Sequence, residues 1–250
     1  MSDLLGISNV TYLGALIGAF CLGFSKTGFP GLALVNVVLI AELFGAKESV
    51  GIILPLLICA DIIVFPLFRR FATWKDVVPL LSPIAIGLVA GFLLLDNIDN
   101  ELARPAIGGI ILTMVGLQLL RAYRKDFLTH LPNSSSFHWL SGFVIGVSTM
   151  MANAAGPVYS IYALVRHLKK NDFLGIGART FLLVNLIKVP FLTGADIINT
   201  QSLKIDLVLL PGVFLGIFCG RLLIAKIPQK AFELLLYFFS LVAGLRLLFF

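Results

Sequence analysis

Four groups of polar residues lie inside long apolar runs of this sequence, where a charged side chain is costly and by default functional. The first is Gly23-Phe24-Ser25-Lys26-Thr27-Gly28-Phe29-Pro30-Gly31. Lys26 supplies a cation, and Ser25, Thr27 and the Gly28 backbone supply hydrogen-bond donors. A helix beginning near Pro30 would aim its free N–H groups back at the break, the arrangement that binds an anion. The competing reading is a lysine at a hairpin tip that reaches out to water. The second group is Met151-Ala152-Asn153-Ala154-Ala155-Gly156-Pro157. Asn153 stands there in place of Ser25, and Ala154 in place of Lys26. Asn153 and the Gly156 backbone would offer neutral hydrogen bonds only.

The third group is in Gly175 to Leu192, with Arg179, Thr180, Asn185 and Lys188. Positions 181, 185 and 188 share one helical face, and Lys188 lies about 13 Å along the helix from Arg179. Two cations in one span must face a cavity, an acid or the headgroups. Arg179, Asn185 and Lys188 are therefore candidate anion contacts, with snorkelling or a structural pair as the alternative. The fourth is Asp61, in LLICADIIVFP, the acid near the centre of a span. It is a candidate coupling or gating residue. Its other readings are an ion pair with Arg179 or Lys188, or a bond to nearby backbone.

The elements that would hold these residues are transmembrane helices. The chain has 250 residues, of which 59% are hydrophobic and 13% charged, with a mean hydropathy of +1.01. A soluble domain carries about 25% charged residues. Spans of about 20 apolar residues occur at Ser49 to Phe68, Val77 to Leu95, Leu102 to Leu120, Leu174 to Leu192, Ile205 to Ile224 and Phe232 to Phe249. Two longer runs, Val10 to Leu43 and Phe137 to Leu168, are interrupted at the first and second polar groups. Each piece is only about 15 residues, short for a crossing. The fold expected is all-α, a polytopic helix bundle.

The two interrupted runs belong to a duplication. Ile17-Gly18 matches Ile145-Gly146, and Gly28 matches Gly156. Asp61 matches Asn185 and Pro66 matches Pro190, and the correspondence continues through Pro83 with Pro211 and Gly91 with Gly220. This divides the chain into a first repeat over 1–125, a cytoplasmic loop over 126–136 and a second repeat over 137–250. Loop charge decides their relative orientation. If each interrupted run crosses once, the basic loop residues split evenly. If each folds back to its starting side, one side gathers Arg69, Arg70, Lys75, Arg121, Arg124, Lys125, Arg166, Lys169, Lys170, Lys226 and Lys230. The other keeps Lys47, Arg104 and Lys204. Eleven against three follows the positive-inside rule. The expectation is therefore two inverted repeats, each opening with a broken or re-entrant helical hairpin, with both termini periplasmic. Inverted repeats with broken helices are a transporter architecture, with the site where the breaks meet.

The formal charge of +6 is then a topology signal and not a nucleic-acid surface. The N-terminal stretch lacks a basic residue before its apolar run and does not read as a cleaved signal peptide. Cys21, Cys59 and Cys219 read as packing residues, no metal or nucleotide motif is present, and no cofactor is expected. The Gly87-x-x-x-Gly91 and Gly212-x-x-x-Gly216-x-x-x-Gly220 stripes suit close helix contact within a protomer or in a homodimer.

The first polar motif, Gly156-Pro157 and Asn185-Leu186-Ile187-Lys188-Val189-Pro190 together resemble the TauE/SafE sulfite exporter family, also described as a toluene-sulfonate uptake permease family. The resemblance covers nearly the whole chain. It implies a bacterial inner-membrane permease for a small sulfur-containing or carboxylate anion such as sulfite, sulfoacetate or another sulfonate. Protons are a candidate coupling ion through Asp61. Anion channel and integral-membrane enzyme are the alternatives. An enzyme would need convergent nucleophile and base groups, which the sequence does not offer.

Overall fold

The computed structural model describes residues 9–27, 32–123 and 134–223. Gly28 and the expected span Phe232 to Phe249 lie outside the described residues. The described chain is helical throughout: α1 (Asn9–Ser25), α2 (Leu32–Phe44), α3 (Ala46–Phe68), α4 (Trp74–Asn97), α5 (Asn100–Tyr123), α6 (Ser135–Ala152), α7 (Gly156–Val165), α8 (Lys170–Gly194) and α9 (Thr200–Leu223). Four of these, α3, α4, α8 and α9, are long and apolar enough to cross a membrane. Their outward faces carry Ile62, Ile86, Leu93, Leu207, Phe214 and Phe218. Apolar surface of this kind is stable against lipid, while every helix satisfies its own backbone.

Local chemistry sets the helix ends. Thr73 and Asp76 form a reciprocal capping box at the start of α4, and the Ser134 hydroxyl accepts from the Phe137 N–H at the start of α6. The Asn199 side chain accepts from the N–H groups of Gln201 and Ser202 and so opens α9 at Thr200. The sequence pattern starts that span at Ile205. The cap adds more than a turn, which carries Asp206 inside the helix. Between α2 and α3 the chain reverses through Gly45, at φ 104°, a conformation open to glycine at little cost.

Both interrupted runs fold back on themselves. Gly14 of α1 faces Leu43 of α2, while Gly18 faces Asn36, Leu39 and Ile40. The two helices are therefore antiparallel, with Ser25 and Leu32 at the same end. In the second run, His138 near the start of α6 bonds the Tyr162 hydroxyl of α7 at 3.1 Å.

The halves interlock reciprocally. α4 of the first half packs on α6 of the second, and α9 of the second packs on α1 of the first. The glycine stripes make these contacts close. A Cβ on Gly87 would lie 2.2 Å from the Phe143 carbonyl oxygen, and one on Gly216 would lie 2.1 Å from that of Phe20. Both stripes are thus engaged within the protomer.

α3 and α8 form the centre. Gly51, early in α3, abuts Ile197, just past the end of α8. Asp61 meets Asn185 in mid-helix. Gly175, early in α8, abuts Phe71 and Ala72, just past the end of α3. α3 and α8 therefore run antiparallel. The contacts Gly51 to Ile197 and Gly175 to Ala72 are counterparts, since Gly51 and Gly175 share the 124-residue spacing of Asp61 and Asn185. These directions give the bundle two ends. The turns at 44–46, 97–100 and 194–200 lie at one, which carries Glu48, Asp96, Asp99 and Asp196. The turns at 69–74 and 165–170 lie at the other, which carries Arg69, Arg70, Lys75, Arg166 and Lys169.

Candidate functional site

A cavity of about 110 Å³ lies between the two breaks and the central pair of helices. Its wall includes Ser25 and Lys26 from the first tip, and Asn153, Ala155 and Gly156 from the second. Asp61 comes from α3 and Phe181 and Asn185 from α8. The wall extends toward the basic end at Phe68 and Phe173. Two helix starts border the space: Ala33 in the first turn of α2 and Gly156 at the start of α7. Each presents the positive end of a helix.

Lys26 reaches Asp61 with a separation of 2.5 Å between Nζ and Oδ1, and its ammonium lies 5.6 Å from the Phe181 ring centroid. The lysine side chain is 16% exposed and the carboxylate 3%. The second carboxylate oxygen accepts from Asn185 Nδ2 at 2.7 Å. Asp61 thus pairs with Lys26 and Asn185. Its sequence alternatives, Arg179 and Lys188, have other partners.

Lys188 is completely buried. It donates to the Thr149 carbonyl at 2.7 Å and to Asn153 Oδ1. Asn153 ends α6 in the left-handed region at φ 51°, which asparagine tolerates better than most residues. Its Nδ2 donates to the Val50 carbonyl at 3.2 Å. Lys188 therefore satisfies the carbonyl end of α6 and, through Asn153, ties the second break to α3.

Arg179 is outside the cavity wall. Its guanidinium donates to the Arg69 carbonyl and lies 5.5 Å from the Trp74 ring and 5.6 Å from that of Phe65. It clasps the α3–α4 turn. Ser25 lines the cavity but donates its hydroxyl to the Leu22 carbonyl at 2.6 Å. Thr27 donates to the Phe24 carbonyl at 2.7 Å and turns toward Gly220 of α9, away from the wall. Thr149 and Tyr159 also line the cavity and were not apparent in the sequence. Their signal was weak, because each sits in an apolar helix without a break or a charge.

Lys26, Asp61 and Asn185 form one bonded polar group beside the cavity and Lys188 with Asn153 a second, and among the described residues no group of three or more metal-ligating side chains occurs. The fold and these groups define a polytopic helical membrane protein with a charged cavity between two broken helices. The chain belongs to the sulfite exporter TauE/SafE family, whose model matches residues 13–247. That is a family of transporters, and the resemblance carried by the first motif holds over most of the chain. No match is found among the curated proteins or among the solved structures.

Proposed function

We propose that the protein is a secondary transporter for a small sulfur-containing anion, such as sulfite, sulfoacetate or another sulfonate. The observation that carries this is the charge balance of the two polar groups. Counted formally, two lysines, Lys26 in the cavity wall and Lys188 behind it on Asn153, stand against one carboxylate, Asp61, a sum of one positive charge. The starts of α2 and α7 add two positive helix ends at the cavity wall. In a medium of low dielectric such a cavity favours an anion. Lys26 is the principal anion contact. Ser25, Asn153, Gly156 and Asn185 shape the wall, while Lys188 holds the second break in place.

Asp61 supplies the coupling. Lys26 cannot give its charge fully to an anion while Asp61 is ionised beside it. A proton on Asp61 releases Lys26, so anion and proton bind together. The reading of the two halves as inverted repeats is supported by the antiparallel crossing of α3 and α8 and by the fold-back of both interrupted runs. With the sequence span Phe232 to Phe249 counted as the last crossing, each repeat would have two fold-back helices and three crossings, an odd number of passages. The basic end then faces the cytoplasm, and the chain lies in a bacterial inner membrane with periplasmic termini. Counterflow of labelled sulfite or sulfonate into liposomes containing the purified protein tests the transport reading. It also separates a carrier from a channel, which gives current without counterflow. Absence of exchange with every sulfite, sulfonate and carboxylate in a panel overturns it.

A further inference from the structure

We infer that Asp206 is a second proton-binding site, loaded from a vestibule at the acidic end of the bundle and separate from the Lys26–Asp61 pair. Asp206 is 4% exposed, and neither carboxylate oxygen has a hydrogen-bond partner among the described residues. An ionised carboxylate buried without a partner is far costlier than a protonated one. The vestibule, about 380 Å³, is lined by Lys47, Glu48, Asp196, Asn199, Ser202 and Ile205, among others. Ser202 is one helical turn from Asp206 on the same face of α9, so the carboxyl lies one turn beneath the vestibule floor.

The surroundings favour a proton over a metal cation. α9 packs on α1 and α3. From α1 the titratable groups are Tyr12 and Cys21, since Asn9–Ser25 contains no acid, lysine, arginine or histidine. From α3, Lys47 and Glu48 line the vestibule, and the Cys59 thiol is within electrostatic reach of Asp206. No group of three or more histidine, cysteine or carboxylate side chains that could hold a metal ion occurs among the described residues. Asp61 is two residues past Cys59, about 200° around α3, and is already bonded to Lys26 and Asn185. The step is simple: a hydronium ion in the vestibule gives its proton to the Asp206 carboxylate, leaving water and the neutral acid. On release, the charge draws water into the α3–α9 seam, which opens the acidic end of the bundle.

The inference rests on the transport reading for its role in coupling, but its proton can be read without transport. Infrared spectra of the purified protein at neutral pH should contain a protonated-carboxyl band that Asp206→Asn removes. An unchanged band overturns the inference even if anion exchange is robust. In liposomes, Asp206→Asn should leave counterflow and its KM unchanged while lowering accumulation driven by an imposed pH gradient by about tenfold, within the usual range of coupling energies. Asp206→Glu should restore much of it. Accumulation equal to wild type, or driven by a sodium gradient and indifferent to pH, also overturns the inference. If wild type exchanges no anion, the transport reading fails while the infrared result still decides whether Asp206 holds a proton.

Discussion

Asn185 Nδ2 donates to Asp61 Oδ2 at 2.7 Å where α3 crosses α8, and the two residues are a matched pair in the duplication read from the sequence. One member of that pair is acidic and the other is its neutral isostere. A carboxylate at both would place like charges together in a buried site, at high cost. The amide instead donates to the acid. The oxygen left over on Asp61 accepts Lys26, which has no charged counterpart in the second break.

Removal of Lys26 should weaken anion binding. Lys26→Ala is expected to raise KM for counterflow about 10- to 100-fold, the loss of one charge-assisted hydrogen bond, with the protein still inserted. Unchanged kinetics would take Lys26 out of the site.

Asp61→Asn should have the opposite effect on binding. It frees the lysine, so KM falls several-fold while the response to an imposed pH gradient is lost. The same pair predicts a stability pattern. Lys26→Ala leaves a buried carboxylate without its cation and should destabilise by about 3 kcal/mol. Lys26→Ala combined with Asp61→Asn should recover most of that. Thermal unfolding of the purified proteins in detergent reads the difference, and additive losses would mean that the pair is not coupled.

The packing of α4 on α6 and of α9 on α1 predicts a steric result. Gly87→Leu and Gly216→Leu each force a side chain against a backbone carbonyl at 2.2 and 2.1 Å from the added Cβ, and neither neighbour can rotate away. Each should cost more than about 3 kcal/mol, the upper range for overpacking. Gly109→Leu on α5, where a Cβ meets nothing within 4 Å, is the control. Monodisperse yield after extraction distinguishes them.

The orientation of the halves predicts labelling. Single cysteines replacing Arg69 and Arg166 should react with an impermeant thiol reagent only from the cytoplasmic side, in a background free of Cys21, Cys59 and Cys219. Reaction from opposite sides would overturn the inverted arrangement.

Much of the fold was legible in the sequence because a bilayer makes strong demands. Apolar length marked α3, α4, α8 and α9, and the polar motifs at Ser25 to Gly31 and Asn153 to Pro157 marked both breaks. The glycine stripes were visible too, but spacing alone could not say whether they joined helices within or between protomers. The candidate site was legible as a set of residue types and not as a set of contacts. Asp206 is not singled out by the sequence because hydropathy rises only at Ile205, while the Asn199 cap starts the helix earlier.

By itself the sequence determined that the chain is a polytopic helical membrane protein with two interrupted runs and a few costly charges between them. Composition and periodicity are local properties, and lipid leaves few ways to satisfy them. Only the tertiary structure decided which charge meets which. Lys26 found Asp61, Lys188 found the end of α6, and Arg179 was drawn off to the α3–α4 turn. A buried ion is settled by whichever partner the packing brings within a few ångströms, and here those partners lie 35, 39 and 110 residues away along the chain.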